Sequence, residues 1–337
     1  MESKGLIMVD ELSLFEALLQ KYLGENRLLI FDIGARGGLH SRWNKFLSVI
    51  EVLGFEPEKA ECERLNALAR TLSYKARFLP YALGRENASA VKFYVCRKPG
   101  CSSIYEPNLM FAQDFTPASS MQVETVSTLD TIQLADIAAK EQLQPDVMKI
   151  DVQGAELDVL LGGSNLLGGT KLVELEVEFN PQYINQPLFH DVDKYMHGVG
   201  WSLLGLRRTY WRRKNGLSIE TDGCGGHLIH GDAIYFNAQF VEKMDIGIED
   251  LLKVLLVLSA YRQNDLVLSI LSSKCPALRV LSGEERALLQ QHLVHYPSRI
   301  ARLFRWMLRG INHREKRRLI DLLQEGNAVD WHDSDFY

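Results

Sequence analysis

The sequence is poor in cysteine, in charge of one sign and in long apolar runs, and each shortage closes off a class of protein. Its five cysteines, Cys62, Cys96, Cys101, Cys224 and Cys275, are odd in number, widely spaced and free of any C-x-x-C pair. Neither a disulfide framework nor a structural zinc site is therefore expected, and no metal. The 38 Lys and Arg against 43 Asp and Glu leave a formal charge of −5, which gives no general attraction to phosphate backbones, so nucleic acid is not an expected partner. The longest apolar stretch, around Leu251 to Ala260, is too short and too interrupted to span a bilayer. The first residues, with Glu2, Lys4 and Asp10, lack a basic start followed by an apolar block. No membrane span and a cytoplasmic location are the expectations.

What is present is the mixture of an ordinary globular chain, 46% apolar and 24% charged. The spacing of Leu12, Phe15, Leu18, Leu19 and Tyr22 predicts an amphipathic helix. Leu28 to Phe31 is an unbroken apolar run ending in a glycine turn, Asp32 to Gly38, as a buried parallel strand would. A helix is expected over Leu39 to Leu47, a second strand over Glu51 to Phe55, a helix over Glu58 to Arg70, and a third strand over Arg77 to Tyr81. Val91 to Cys96 reads as an extra strand and Pro99 to Thr116 as a long loop over a site. After Ser127 to Asp130 and a short helix come a strand over Asp146 to Ile150 and a helix from Ala155. A strand over Leu172 to Phe179, a short helix over Val192 to His197, and strands over Trp201 to Leu206 and Ala233 to Phe236 complete the pattern. Such alternation predicts an α/β fold, a doubly wound, mostly parallel sheet. Beyond Ile246 strand signals stop, and leucine-rich helices are read over 248–258, 263–271, 283–292, 297–308 and 315–323. The chain thus divides into 1–245, the α/β region, and 246–337, an α-helical C-terminal region whose sequence does not reveal its role but offers a surface for a homo-oligomer or a protein partner.

Ligands of open α/β sheets bind beyond the carboxyl ends of the strands, and the unusual residues fall there. Gly34, Gly37 and Gly38 allow close approach of backbone and ligand. Asp32 at the first strand exit suits the ammonium of an amino-acid moiety, and Glu56 at the second suits two ribose hydroxyls. A dinucleotide site needs G-x-G-x-x-G, with helix amides facing a pyrophosphate that a carboxylate in the turn would repel. Here the motif is D-x-G-x-x-G-G, so an NAD-dependent oxidoreductase is disfavoured against a ligand with a ribose, a cationic amino acid and no pyrophosphate, which points to S-adenosylmethionine. Each signal alone has an ordinary explanation, a tight turn for the glycines and a favourable helix-start charge for Glu56. Together with Asp151 at the fourth strand end they are hard to attribute to packing.

The blocks "FDIGARGG", "GFEPEKAECERLN", "YALG", "GCSSIYEPN", "STLDTI" and "MKIDVQGAELDVLLGG" resemble, in this order, the FkbM-type methyltransferase family over about Leu28 to Asn237. The resemblance implies a Rossmann-like class I methyltransferase fold, S-adenosylmethionine as methyl donor and a hydroxyl group as acceptor, often in polysaccharide, sugar or secondary-metabolite biosynthesis. By motif position it implies a cofactor site of Asp32, Gly34, Arg36, Gly38, Glu56, Pro57, Ala82, Leu83 and Asp151. Two positions depart from the common pattern: Arg36 stands where Asn is frequent, and Gln153 where Glu is common, which removes one candidate base.

Methyl transfer to an unactivated alcohol needs a positioned acceptor and a general base. The candidate bases are Asp151, Glu178 and His190; His190 reads more simply as a surface or capping residue. Glu174, Glu176 and Glu178 alternate with apolar residues, the pattern of a strand's polar face near a sheet edge. Ser102, Ser103 and Asn108 in the long loop are candidate contacts to a small-molecule or glycan acceptor. Trp201, Trp211 and Tyr210 read as core rather than as a sugar platform. Arg207, Arg208, Arg212, Arg213 and Lys214 form the densest basic run, more simply a solvated hairpin than a phosphate site. The alternative function is a protein that binds cofactor without transferring methyl, as a scaffold of a biosynthetic assembly.

Overall fold

An apolar run such as Leu28 to Phe31 can bury both faces only in a sheet covered on both sides. The computed structural model, which describes residues 3–214, 226–242 and 246–295, has all six residues of that strand buried. Helix α1 (Ser3–Leu23) leads into β1 (Leu28–Ile33), a 3-10 segment (Ser41–Val49), β2 (Ile50–Phe55), α2 (Lys59–Ala69) and β3 (Lys75–Leu79). Then follow β4 (Ala82–Leu83), β5 (Ala88–Cys96), α3 (Leu109–Ala112), β6 (Val123–Ile132), α4 (Leu134–Glu141), β7 (Val147–Ile150), α5 (Glu156–Gly162) and β8 (Leu172–Glu178). The described chain closes with α6 (Phe189–Gly198), β9 (Ser202–Trp211), β10 (His227–Phe236), α7 (Gln239–Glu242), α8 (Ile248–Ala260), α9 (Asn264–Leu271) and α10 (Gly283–Leu293).

The main sheet has seven strands in the order β3-β2-β1-β7-β8-β10-β9. Pairing is parallel from β3 through β8, and β10 runs antiparallel to both β8 and β9. This is a Rossmann-like, doubly wound arrangement, with the order reversing between β1 and β7. A crevice opens beyond the carboxyl ends at that reversal, so the topology itself selects where a ligand can sit.

Both faces of the sheet are covered. On one, Phe15 and Leu19 of α1, Trp43 and Phe46 of the 3-10 segment, and α8 pack against Leu28, Ile30 and Ile50. On the other, α4, α5 and α6 supply Ile137, Leu160 and Met196 against Phe31, Met148 and Leu175. Residues 251–260 of α8 are buried on every side, by α1, α9 and α10 as well as the sheet, which explains a helix apolar all round. The helices after residue 246 that the structure describes therefore share the sheet's own core.

Several elements differ from the sequence reading. The third strand sits two residues earlier, over Lys75–Leu79, and the helix over 39–47 is a 3-10 segment. The stretch around Ser127 to Asp130 belongs to β6, which pairs with β4 and β5 in a separate three-stranded sheet. Its outward-facing polar residues conceal it from a search for apolar runs. Glu174, Glu176 and Glu178 do not lie near an edge: β8 is hydrogen-bonded on both sides, and Glu174 and Glu178 are buried. Arg207 and Arg208 lie on β9, which pairs antiparallel with β10, in keeping with a solvated hairpin. The helices read over 297–308 and 315–323 lie outside the described residues, as does Cys224.

Candidate active site

At the exit of β1 the chain turns at Gly34, whose φ is +80°. A Cβ there would lie 1.9 Å from the Asp151 carbonyl oxygen, so only glycine lets the β1 turn close against the end of β7. Gly38 has φ +70° and closes the same turn. At the end of β2, Glu56 is only 4% exposed. Its Oε1 accepts the Glu58 amide at 3.0 Å, and Oε2 lies 3.8 Å from Arg36 Nε. Burial raises the Glu56 pKa, opposed by the Glu58 amide and by Arg36. Arg36 also bonds Glu58, so a cation reinforces the rim of this pocket.

The crevice is a cavity of about 760 Å³, within the range of small-ligand sites. The ends of β1, β2 and β7 form its floor, and Phe93, Val95, Ser127 and Leu129 of the second sheet form its far wall together with Pro99 and Ser102 of the long loop. Of the residues singled out in the sequence, Gly34, Arg36, Gly37, Glu56, Pro57, Ala82, Leu83, Ser102, Asp151 and Gln153 line this cavity. Glu56 and Asp151 stand at two different strand ends, with the glycine turn between them. A ribose fits the buried acceptor Glu56, a flat base fits the apolar Ala82 and Leu83, and the Gly34 turn admits a ligand close to the backbone. The residues present thus fit an adenosyl ligand.

The other candidates lie outside the lining. Asp32 is buried beneath it, its Oδ1 3.7 Å from Lys149 Nζ and without a hydrogen bond among the described residues. Burial pushes its pKa up to about 6 against the pull of Lys149. Ser103 donates to the Gln153 carbonyl at 2.6 Å, and Asn108 caps α3 while donating to the Pro181 carbonyl. Both hold loops together. His190 is 74% exposed on α6, lies near Asp191 and is not among the residues that line the cavity. Glu178 is buried, with Oε1 unpartnered.

Asp151 belongs to a cluster that the sequence reading did not assemble, of which Lys149 and Gln153 also line the cavity. Gln153 Nε2 donates to Asp151 Oδ1 at 2.9 Å and to Glu176 Oε2 at 2.5 Å. His230 Nδ1 contacts the other oxygen of Glu176. Lys149 Nζ donates to Asp151 Oδ2 at 3.4 Å. Burial pushes Asp151 up, but Lys149 and Gln153 together hold it below the usual carboxylate range. Burial drives Glu176 up to about 7, with His230 opposing and Asp151 reinforcing. His230 is raised as well, the Glu176 contact outweighing burial. Asp151 is therefore the ionised member and the Glu176–His230 pair the one that retains protons. Glu156 and Glu178 bring oxygens within 4.8 Å of Glu176, and burial lifts both well above the ordinary range. Glu156 accepts the Val152 and Gly154 amides at 2.8 and 2.9 Å and so fixes the turn after Asp151. A chemically usable reading of this arrangement is an ionised carboxylate facing a ligand cavity and backed by proton-holding groups.

The family model described as the methyltransferase FkbM domain matches residues 32–203. Among solved structures the chain is similar to a precorrin-6Y C5,15-methyltransferase from Geobacter metallireducens, at 10% identity and a TM-score of 0.31 over 66% of this chain and 87% of that one. It is also similar to a magnesium protoporphyrin IX methyltransferase from Synechocystis, solved with bound S-adenosylmethionine, at 12% identity and a TM-score of 0.33 over 68% and 81% of the two chains. No curated protein matches the chain.

Proposed function

Because the chain belongs to the FkbM methyltransferase family and takes S-adenosylmethionine as its methyl donor, we propose that it moves the methyl group to a hydroxyl oxygen of a sugar, polysaccharide precursor or secondary metabolite. The observation that carries this reading is the single cavity lined by both Glu56 and Asp151. Glu56 accepts from the ribose, and the glycine turn at Gly34 lets the cofactor lie against the strand ends. When bound, the cofactor supplies an electrophilic methyl on a sulfonium. The chain's part is to orient the acceptor and take its proton.

Asp151 is the base in this reading. The acceptor O–H bond breaks as its proton passes to the Asp151 carboxylate, and the oxygen–methyl bond that forms would replace the methyl–sulfur bond, the sulfonium leaving as a neutral thioether. Lys149 keeps that carboxylate charged before the transfer. Ser102 on the loop wall, whose Oγ accepts the Cys96 amide at 3.0 Å, retains a hydroxyl proton for an acceptor oxygen. Arg36, Pro57, Ala82 and Leu83 complete the cofactor side, with Asp32 acting on it through Lys149. A small polar acceptor suits a cavity of this volume, and the cytoplasm, where such precursors are made, is the proposed location.

Isotope transfer tests the reading. Protein incubated with methyl-labelled S-adenosylmethionine and a panel of sugars and hydroxylated metabolites is expected to label at least one acceptor, in a bond that resists mild base as an ether does. Asp151→Asn is expected to lose on the order of a hundredfold in turnover, the usual weight of a general base, with little loss of thermal stability. Cofactor binding without label in any acceptor would favour the scaffold function instead.

A further inference from the structure

The turn after β7 is held in an unfavourable shape for the sake of one side chain. Gln153 has φ +59° and Gly154 φ +97°. A left-handed conformation is unfavourable for a residue with a Cβ. The Glu156 carboxylate sustains it by accepting the amides on either side. The result is that the Gln153 amide is threaded between the ends of β7 and β8. Its two N–H bonds reach two different carboxyls, Asp151 and Glu176. On its other side, the Tyr183 hydroxyl lies 3.0 Å from Gln153 Oε1. The amide orientation is thereby settled, since reversal would set Oε1 against two carboxyl oxygens.

We propose that Gln153 is a positioning residue that ties Asp151, Glu176 and His230 into one proton-sharing unit and keeps Asp151 as its ionised member. Two carboxyls this close cannot both ionise freely, so one proton is divided between them. The Gln153 NH2 group is neutral, donates to both and accepts from neither. It steadies the Asp151 anion while leaving the remaining proton to Glu176 and His230. The groups facing Asp151 are Lys149 on its own strand, Asp32 on β1, Glu156 on α5, Glu176 and Glu178 on β8, and His230 and Asp232 on β10. Lys149 gives the largest downward pull on Asp151 and the Gln153 hydrogen bond the next, against a larger set of acids. A carboxyl at position 153 would add one more acid to this set.

The inference rests on Asp151 being the proton acceptor of the proposed transfer, and its test does not use turnover. Protein carrying carbon-13 at the aspartate carboxyl is titrated by nuclear magnetic resonance, with the Asp151 signal identified by its loss in Asp151→Asn. In the unaltered protein the Asp151 midpoint is expected below the usual value of about 3.9. Gln153→Glu is expected to raise it by about one pH unit or more, and Gln153→Ala by less, with the His230 imidazole moving in parallel in Gln153→Glu. An ordinary midpoint in the unaltered protein, or one that stays put in both variants, overturns the proposal. Should neither variant fold, the unaltered protein's own midpoint still decides. Calorimetry of the unaltered protein with S-adenosylmethionine runs alongside: failure to bind there sinks the functional reading, whatever the titration shows.

Discussion

Glu56 carries the sharpest prediction at the level of single residues, because a buried carboxylate with one oxygen turned to a cavity has few other uses. Its partners leave Oε2 only the distant Arg36. Glu56→Ala should weaken S-adenosylmethionine binding by about 1–3 kcal/mol, the value of hydrogen bonds to a charged group. Asp32→Asn should weaken it less, since Asp32 lies below the lining and acts through Lys149. Calorimetry on the two variants gives the ranking, and equal or absent effects would show that Glu56 is not the ribose acceptor. The strand-end positions of Asp32, Glu56 and Asp151 were legible in the sequence because each follows an apolar run directly. What lines the cavity and what only supports it was not, since two acids at equivalent strand ends can differ in depth. His230 was illegible for another reason: the first half of β10 is polar, so only Ala233 to Phe236 read as strand.

Strand β8 shows how an element misleads when its pattern is read without its neighbours. Glu174, Glu176 and Glu178 alternate with Val173, Leu175 and Val177, and a period of two ordinarily means one wet face. Both sides of the strand are instead paired, and Arg42, Arg207 and the Tyr261 hydroxyl satisfy Glu174. Long-range partners from the 3-10 segment, β9 and the end of α8 make this burial possible, and no local window contains them. By contrast β1, β2 and β7 were legible, being buried through their own residues. The same strand predicts a pH dependence. Glu156 and Glu178 are held well above the ordinary range and Glu176 at about 7. The folded chain therefore keeps protons that the unfolded chain releases above about pH 4.3. Their stabilisation is fully present below that value and is lost as pH rises through about 7, so the melting temperature should be higher near pH 5.5 than near pH 8, about 1.4 kcal/mol being at stake per unit of displacement. Glu178→Gln, uncharged and of equal size, should flatten that slope. A slope unchanged by the substitution would mean that Glu178 is not a source of it.

On the scale of the whole molecule, the ligand cavity and the helical region after residue 246 engage opposite ends of the same sheet. Asp146 and Lys171 stand at the entrances of β7 and β8, whereas Asp151 and Glu178 stand at or next to their exits. At the entrance end, buried Asp146 accepts the Leu29 amide at 2.8 Å, Lys171 at 2.8 Å and Lys253 of α8 at 2.9 Å. Lys253 also donates to Asn26 at 2.8 Å. One buried carboxylate thus ties β1, β8 and α8 together, and α8 brings its apolar flanks onto the sheet face it covers. Lys253→Met keeps the length of the side chain and removes its charge, leaving Asp146 with Lys171 as its cation. Breaking a buried pair from one side costs about 3–5 kcal/mol, and the surviving Lys171 should hold the loss near the lower end. Urea unfolding should record that loss while S-adenosylmethionine affinity stays unchanged, because no residue of α8 lines the cavity. A chain ending at residue 245 should fail more completely: it strips the cover from Leu28, Ile30 and Ile50, and a dye that fluoresces on apolar surface should bind it. If that shortened chain instead melts cooperatively and binds the cofactor, residues 1–245 form a folding unit of their own, and the helices beyond them are an attachment to the sheet rather than half of its core.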